Sequence, residues 1–503
     1  MTAILEAVAP KSQRAQRHFE ASVDLAMLID GEWCAAADGR TLSTCDPATG
    51  RDLARIPDAS AADVDRAVAA ARRGLGLWSA RTPAERAAVL WRIADLIEAN
   101  IDELAELETL DQGKPLHVGR GAEIPGAIAQ FRFFAGQAMA IEGTTITPSV
   151  GYQPAGKQVR AWTQREPVGV VAAIVPWNSP LVLTAMKLAP ALAAGCAVIL
   201  KPAEDTSITA LRLGELMMAA GLPDGVLNIV TGRGAVAGAA LAAHPGIDKV
   251  AFTGSTTTGR AVLDASKGNL KRVTLELGGK SPAIVLADAD LELAIPGVAN
   301  AIFFNGGQVC VAGSRAYVHS SIYDQVVEGL AEQSRSMRLG HGLNPATQMG
   351  PLVSAQQAER VARFLDGAKR EGAEIVTGGE RCGEAGAFIR PTVVAGVHAG
   401  MEIVREEVFG PVLVVQSYDD VDEVVAAAND SIYGLAASVW TEGLSNAHRL
   451  ASRLHAGTVW INCHLMFDAS LPIGGVKQSG YGRDSGVAAM DNYLETKTVC
   501  AVL

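Results

Sequence analysis

The chain has no Cys-x-x-Cys pair and no zinc-like spacing. Its seven cysteines, at 34, 45, 196, 310, 382, 463 and 500, are odd in number, which argues against a disulfide framework and for reduced thiols in a cytoplasmic setting. No metal site is expected. Long hydrophobic runs are missing too: the most apolar stretch, Leu188 to Leu200, contains Pro190 and Gly195 and falls short of the ~18 residues of a spanning helix. No membrane span is expected. Met1 to Asp24 mixes charges of both signs with no sustained apolar region, unlike a secretory signal, and is expected to be a loose, solvated arm. A basic excess is likewise lacking. The formal net charge of −11 argues against nucleic acid as the main partner, though a local basic site for a dinucleotide pyrophosphate is compatible with it.

What remains is an ordinary soluble composition. At ~150 residues per domain, 503 residues make roughly three domains, and 49% hydrophobic content with 52 glycines suits an α/β protein rich in tight strand-to-helix turns. Turn signals between Met27 and Pro57 suggest small strands at a domain edge. Ala61 to Leu77, Pro83 to Ala99 and Ile101 to Thr109 carry helical spacing with solvated charged faces. From Glu166 the rhythm changes. Short β-branched runs at Val168 to Val175, Ala197 to Lys201, Val226 to Thr231 and Lys249 to Phe252 alternate with helical ones, as in a mostly parallel sheet that binds ligands at its carboxyl ends. A second α/β region follows Glu276, with a strand-like Ala283 to Leu286 and a helical run from Asp290 toward Phe304. Gln158 to Arg165 and Thr496 to Val502 alternate as strands outside any βαβ unit.

Two segments carry chemistry. In Asn305-Gly306-Gly307-Gln308-Val309-Cys310 an apolar run breaks on two glycines and delivers one cysteine, a setting that suits a backbone brought close to a ligand. Cys310 reads as a nucleophile; most cysteines are simply small core residues. A thiol is little ionised at neutral pH and needs a nearby base, a helix terminus or backbone donors. In Arg272-Val273-Thr274-Leu275-Glu276-Leu277-Gly278-Gly279-Lys280, Glu276 ends an apolar strand-like run, where partial desolvation raises a carboxylate toward general-base range. On its own, a paired structural carboxylate is as good a reading.

These two segments, their order and their separation (310 − 276 = 34) resemble the aldehyde dehydrogenase superfamily. The likeness extends over nearly the whole chain, through Val175-Pro176-Trp177-Asn178, Leu200-Lys201-Pro202-Ala203-Glu204, Phe252-Thr253-Gly254-Ser255, Glu406-Glu407-Val408-Phe409-Gly410-Pro411 and Lys477-Gln478-Ser479-Gly480-Tyr481-Gly482-Arg483. It implies an α/β fold with a modified Rossmann NAD-binding domain (1–145 and 167–276), an α/β catalytic domain (277–485) and a β-strand oligomerisation arm (146–166 and 486–503), hence a homodimer or homotetramer. A Rossmann fingerprint is not convincing here, since Gly232-Arg233-Gly234-Ala235-Val236-Ala237-Gly238 has the wrong last spacing.

The resemblance also implies roles. Cys310 attacks an aldehyde, Asn178 with the Cys310 N–H holds the oxyanion, and Glu276 activates water to hydrolyse the thioester. Lys187 and Asp484 form a supporting proton relay, with Asp where the family often has Glu. Val175, Trp177, Lys201, Glu204, Gly234, Gly254, Ser255, Glu407 and Phe409 hold the cofactor. Glu204 favours NAD, because a carboxylate accepts both ribose hydroxyls and repels a 2′-phosphate; NADP stays open as a second cofactor. Singly, Ser255 could equally be a helix cap and Phe409 a core aromatic. The carboxylate at Glu276 implies hydrolytic turnover that does not use coenzyme A.

Substrate positions depart from the commoner pattern. Ser179 stands where the family often has Phe, Met186 where some members have Trp, and Ile473 where some have Phe. Each change opens or softens a tunnel. The segment Asn462-Cys463-His464-Leu465-Met466-Phe467-Asp468-Ala469-Ser470-Leu471-Pro472 is most similar to the phenylacetaldehyde dehydrogenase branch. An arylacetaldehyde is therefore expected. Alternatives are an aliphatic aldehyde or a semialdehyde, or a non-catalytic relative of the same fold. His464 reads first as a packed or surface histidine and second as a substrate contact.

Overall fold

The computed structural model describes residues 4–149, 156–383 and 385–503. Residues 1–3 of the expected N-terminal arm and 150–155 of the expected oligomerisation arm lie outside these.

The β-branched runs after Glu166 form one sheet. Its parallel core runs Arg272–Glu276, Lys249–Thr253, Val170–Ile174, Ala197–Lys201, Leu227–Ile229. Every residue of Val170–Ile174, Ala197–Lys201 and Lys249–Thr253 is buried, as strands covered by helices on both faces must be. Val170–Ile174 lies between Ala197–Lys201, the next strand in sequence, and Lys249–Thr253, the third strand after it. The strand order therefore reverses there, and the crevice outside the carboxyl ends at such a reversal is where open α/β sheets bind ligands. Met27–Ile29 and Glu32–Cys34 extend one edge as an antiparallel pair.

A second sheet has the order Glu374–Thr377, Thr392–Ala395, Val412–Tyr418, Arg315–His319, Pro282–Val285, Ala436–Trp440, Thr458–Ile461. Helix Leu291–Phe303, capped by Asp290, crosses from Pro282–Val285 toward Arg315–His319. The Cys310 loop lies at the end of that crossover. The chain then returns to the first sheet: Gly480–Tyr481 pairs antiparallel with Leu275 and Glu276. The Leu277 N–H donates to the Ser479 carbonyl at 3.0 Å, and the Ser479 hydroxyl donates to the Gly278 carbonyl at 2.7 Å. This return closes the first sheet beside Glu276.

The two strand-like segments outside the βαβ pattern find each other. Val159–Pro167 and Leu494–Val502 pair antiparallel from Pro167↔Leu494 to Val159↔Val502, with Thr145–Ile146 on the other side of Val159–Pro167.

The expectation of a loose N-terminal arm is corrected among the described residues. Gln13–Glu20 is a helix, capped by Ser12, with Ala15 and His18 buried. The N–H groups of Lys11 and Ser12 donate to the Glu106 carboxylate at 2.9 and 2.8 Å, and Arg14 forks onto Glu215. Mixed charge looked like solvation in the sequence. Here Arg14 pairs with Glu215 and Asp24 with Arg55, partners that lie far along the chain.

Candidate active site

The Cys310 loop is built on left-handed backbone. Asn305, Gly306 and Gly307 have φ of 48°, 62° and 71°, and a Cβ on Gly307 would stand 2.0 Å from the Gly410 carbonyl oxygen. Only glycine fits there. Gln308 locks the turn: its Nε2 donates to the Asn305 carbonyl at 3.0 Å and its Oε1 accepts from the Val353 N–H at 2.9 Å. Asn178 and Asn305 then clasp the loop reciprocally. The Asn178 Nδ2 donates to the Gln308 carbonyl at 2.9 Å, and the Asn305 Nδ2 donates to the Asn178 carbonyl at 2.9 Å. One of the two Asn178 amide hydrogens remains free to donate elsewhere. Sequence reading noted Asn305 and Gln308 as loop residues and missed their clamping role; an amide at each end of a Gly-Gly pair was the available signal.

Cys310 is partly accessible as a residue, but its thiol is buried and is pushed up to about 12, by that burial first and then by the charges of Glu407 and Glu276. At neutral pH it therefore carries its proton and needs an acceptor. Glu276 qualifies. It is 7% exposed, its Oε1 has no partner among the described residues, and it is held well above the usual carboxylate range by burial and then by Asp484, against Lys187 and Arg483. Gly474 leaves it room, since a Cβ there would stand 2.7 Å from Oε1. Lys187 Nζ and Asp484 Oδ2 are 2.5 Å apart and buried. The backbones of Asp484 and Ile473 exchange two hydrogen bonds of 2.7 Å. The shorter aspartate thus reaches the lysine.

The expected cofactor positions lie mainly at strand ends of the first sheet. Lys201 Nζ is 3.0 Å from Glu204 Oε2, and Glu204 Oε1 accepts from the Gly234 N–H at 3.2 Å. The Val175 N–H donates to the Lys201 carbonyl at 3.1 Å. Gly234 faces open space, whereas a Cβ on Gly254 would meet the Phe252 ring at 2.5 Å. The Gly254 glycine is thus required by packing. Ser255 caps helix Thr256–Ser266. The Glu407 carboxylate accepts from the Gly279 N–H at 3.0 Å and is pushed up to about 7, chiefly by burial. Phe409, at φ 58°, packs edge-on against Trp177 with centroids 5.2 Å apart.

The expected substrate positions divide. Ser179, partly accessible, gives its hydroxyl to Glu123 Oε1 at 3.0 Å, and Met186 is buried on helix Pro180–Ala194, which Ser179 directly precedes. Cys463 and Leu465 share an apolar cluster with Cys310 and Trp460, which brings the closing segment to the cysteine. His464 does not join them as a free contact. Its Nε2 bonds the Val311 carbonyl at 2.8 Å, its ring lies 4.6 Å from that of Trp460, and burial lowers it to about 4. It is a buried histidine packed on Trp460, with Nδ1 left without a partner among the described residues.

A family profile described as the aldehyde dehydrogenase family matches residues 33–499. The chain belongs to that family. It is 49% identical over 478 residues to a phenylacetaldehyde dehydrogenase of Pseudomonas fluorescens, covering 94% of this chain and 95% of the relative. Among solved structures it is similar to an aldehyde dehydrogenase of Bacillus cereus in complex with NAD+, with TM-score 0.94 and 46% identity over 98% of this chain and 99% of that one. It is similar as well to an indole-3-acetaldehyde dehydrogenase complexed with NAD+, with TM-score 0.93 and 42% identity over 98% and 100% of the two chains. No helix among the described residues is long and apolar enough to cross a membrane.

Proposed function

We propose that this aldehyde dehydrogenase uses NAD to oxidise an aromatic or bulky apolar aldehyde, an arylacetaldehyde foremost, to the carboxylic acid, with water and not coenzyme A as the acyl acceptor. The observation that carries the reading is the convergence of three groups. A protonated thiol at Cys310, a clamped amide at Asn178 and a buried carboxyl at Glu276 with one unpartnered oxygen are what acyl chemistry through a thioester requires.

The donor set suits a dinucleotide. Glu204 presents a carboxylate beside Lys201 and the open face of Gly234, fit for ribose hydroxyls. Ser255 opens a helix whose first N–H groups favour a pyrophosphate. Glu407, Phe409, Trp177 and Val175 would hold the nicotinamide end. NAD, when bound, supplies the hydride acceptor that turns a thiohemiacetal into a thioester. NADP meets the Glu204 charge and is disfavoured.

The chain's own residues do the rest. Glu276 takes the Cys310 proton, the sulfur attacks the carbonyl carbon, and the oxyanion receives the second Asn178 hydrogen and the Cys310 N–H. After oxidation, Glu276 takes a proton from water, whose oxygen attacks the thioester carbonyl. The acid departs and the thiol is restored. Lys187 and Asp484 would pass the proton on from Glu276. The partly exposed closing segment, with Met466, Phe467 and Leu471 at 60%, 47% and 48% exposure, fits an approach used by large apolar aldehydes. Residues 1–145 and 167–276 are assigned as the NAD-binding domain and 277–485 as the catalytic domain. Residues 146–166 and 486–503 are assigned as an arm that joins subunits into a homodimer or homotetramer in the cytoplasm.

The test is the initial rate of NADH formation with phenylacetaldehyde, benzaldehyde, hexanal, acetaldehyde and succinic semialdehyde, each with and without coenzyme A. Aromatic aldehydes should give the highest kcat/KM, unaffected by coenzyme A. A preference for acetaldehyde or the semialdehyde overturns the substrate reading, and dependence on coenzyme A overturns the role of Glu276.

A further inference from the structure

Glu123 was not singled out by sequence, because nothing marks it among the other acidic residues of its helical region. In the structure it ends a π-helical turn, Gly119–Glu123, directly before helix Ile124–Ala138. Such single-turn bulges re-aim side chains and recur at functional sites. Glu123 is 6% exposed. Its Oε1 accepts the Ser179 hydroxyl at 3.0 Å and lies 3.4 Å from Lys114 Nζ. Its Oε2 is buried with no partner among the described residues. Lys114 is shared with Glu108, which it approaches more closely, at 2.6 Å.

The location bears on substrate. Ser179 follows Asn178, whose amide is clamped to the loop that carries Cys310. Val182 and Met186 share a face of helix Pro180–Ala194, and Ser179, three residues before Val182, stands at the N-terminal end of that helix. The turn after Glu123 lies against that face, since a Cβ on Gly126 would stand 3.1 Å from Val182 Cγ2. Ser179, Val182 and Gly126 are all partly accessible. A buried carboxyl oxygen with nothing to bond is costly, and a ligand group that satisfies it is selected by that cost.

We infer that Glu123 and Ser179 form a polar selector in the wall of the aldehyde's approach, taking aldehydes that carry a hydroxyl group beyond the reacting carbon. A hydroxyl both donates and accepts, so it satisfies the free oxygen whether the carboxyl is charged or neutral. Burial raises the carboxyl above its usual range, opposed by Lys114, and a neutral acid would donate from Oε2. This rests on the proposed aldehyde chemistry and refines its substrate class.

The experiment compares matched pairs that differ only in the hydroxyl: 4-hydroxyphenylacetaldehyde with phenylacetaldehyde, and 6-hydroxyhexanal with hexanal. The hydroxylated member of at least one pair should have the higher kcat/KM, on the order of tenfold, the effect of one hydrogen bond. In Glu123→Met that ratio should fall to about one, and in Glu123→Gln, which keeps donor and acceptor, it should persist. A ratio at or below one for both pairs in the unaltered enzyme overturns the inference without any variant. So does a ratio unchanged in Glu123→Met. Because the readout is a ratio within a pair, it is separate from the preference for aromatic aldehydes, whose failure shows as hexanal outrunning phenylacetaldehyde.

Discussion

At the level of single side chains, burial shifts the protonation of Glu276 and of His464, and these two and the Asn178 amide each make a prediction. Glu276 is held above its ordinary range by burial and by Asp484, and its working form is the carboxylate. Steady turnover should therefore climb as pH rises past the usual carboxylate range, and Glu276→Gln should lose that limb, leaving one burst of NADH and a steady rate lower by ~10²–10⁴. The linkage runs the same way for stability. A carboxyl that keeps its proton in the fold to a higher pH than in the unfolded chain favours the fold below ~4.3. That advantage is lost as pH rises through the folded value. Glu276→Gln should thus gain on the unaltered protein in melting temperature as pH increases. Asn178→Ala removes an oxyanion donor and also releases the Gln308 carbonyl, so kcat should drop by ~10²–10³. His464, bonded to the Val311 carbonyl, belongs to packing. His464→Leu should cost ~1–3 kcal/mol of stability in a denaturation curve while leaving the order of aldehyde preference as it was.

At the level of elements, glycine decides where the cysteine can stand. Gly307→Ala forces a Cβ onto the Gly410 carbonyl, 2.0 Å away, at φ 71°. It should abolish the NADH burst and cost more than ~1–3 kcal/mol, the scale of one strained backbone position. The Gly-Gly break, the strands after Glu166 and the cysteine itself were legible in the sequence because backbone constraint and apolar runs leave local marks. The parallel core needed only its alternation with helices to be recognised. What sequence hid were pairings between distant segments. Glu106 anchoring the N-terminal helix, Glu123 under Ser179 and the amide clasp of Asn178 with Asn305 all join side chains that no local pattern relates. The N-terminal region was misread for this reason, since a charge looks solvated until its partner is known. Asp484 was visible by resemblance, but the 2.5 Å contact with Lys187 depends on the backbone pairing of Ile473 with Asp484.

Across the whole molecule, the sheet of Thr145–Ile146, Val159–Pro167 and Leu494–Val502 has Leu494–Val502 as an outer strand, with no strand paired to its other side among the described residues. Long free edges of this kind invite a second chain. Deleting Glu495–Leu503 should lower the mass measured in solution by light scattering; an unchanged mass would leave these strands as a local hairpin. The return of Gly480–Tyr481 to the edge strand Arg272–Glu276 has a mechanical meaning as well. The polypeptide leaves the first sheet after Glu276, builds the second, and comes back to hydrogen-bond beside its point of departure. A backbone cut in a surface loop between those two points would therefore leave both fragments fastened together, and Glu276 would keep its neighbour Gly480 with no covalent path between them across the break.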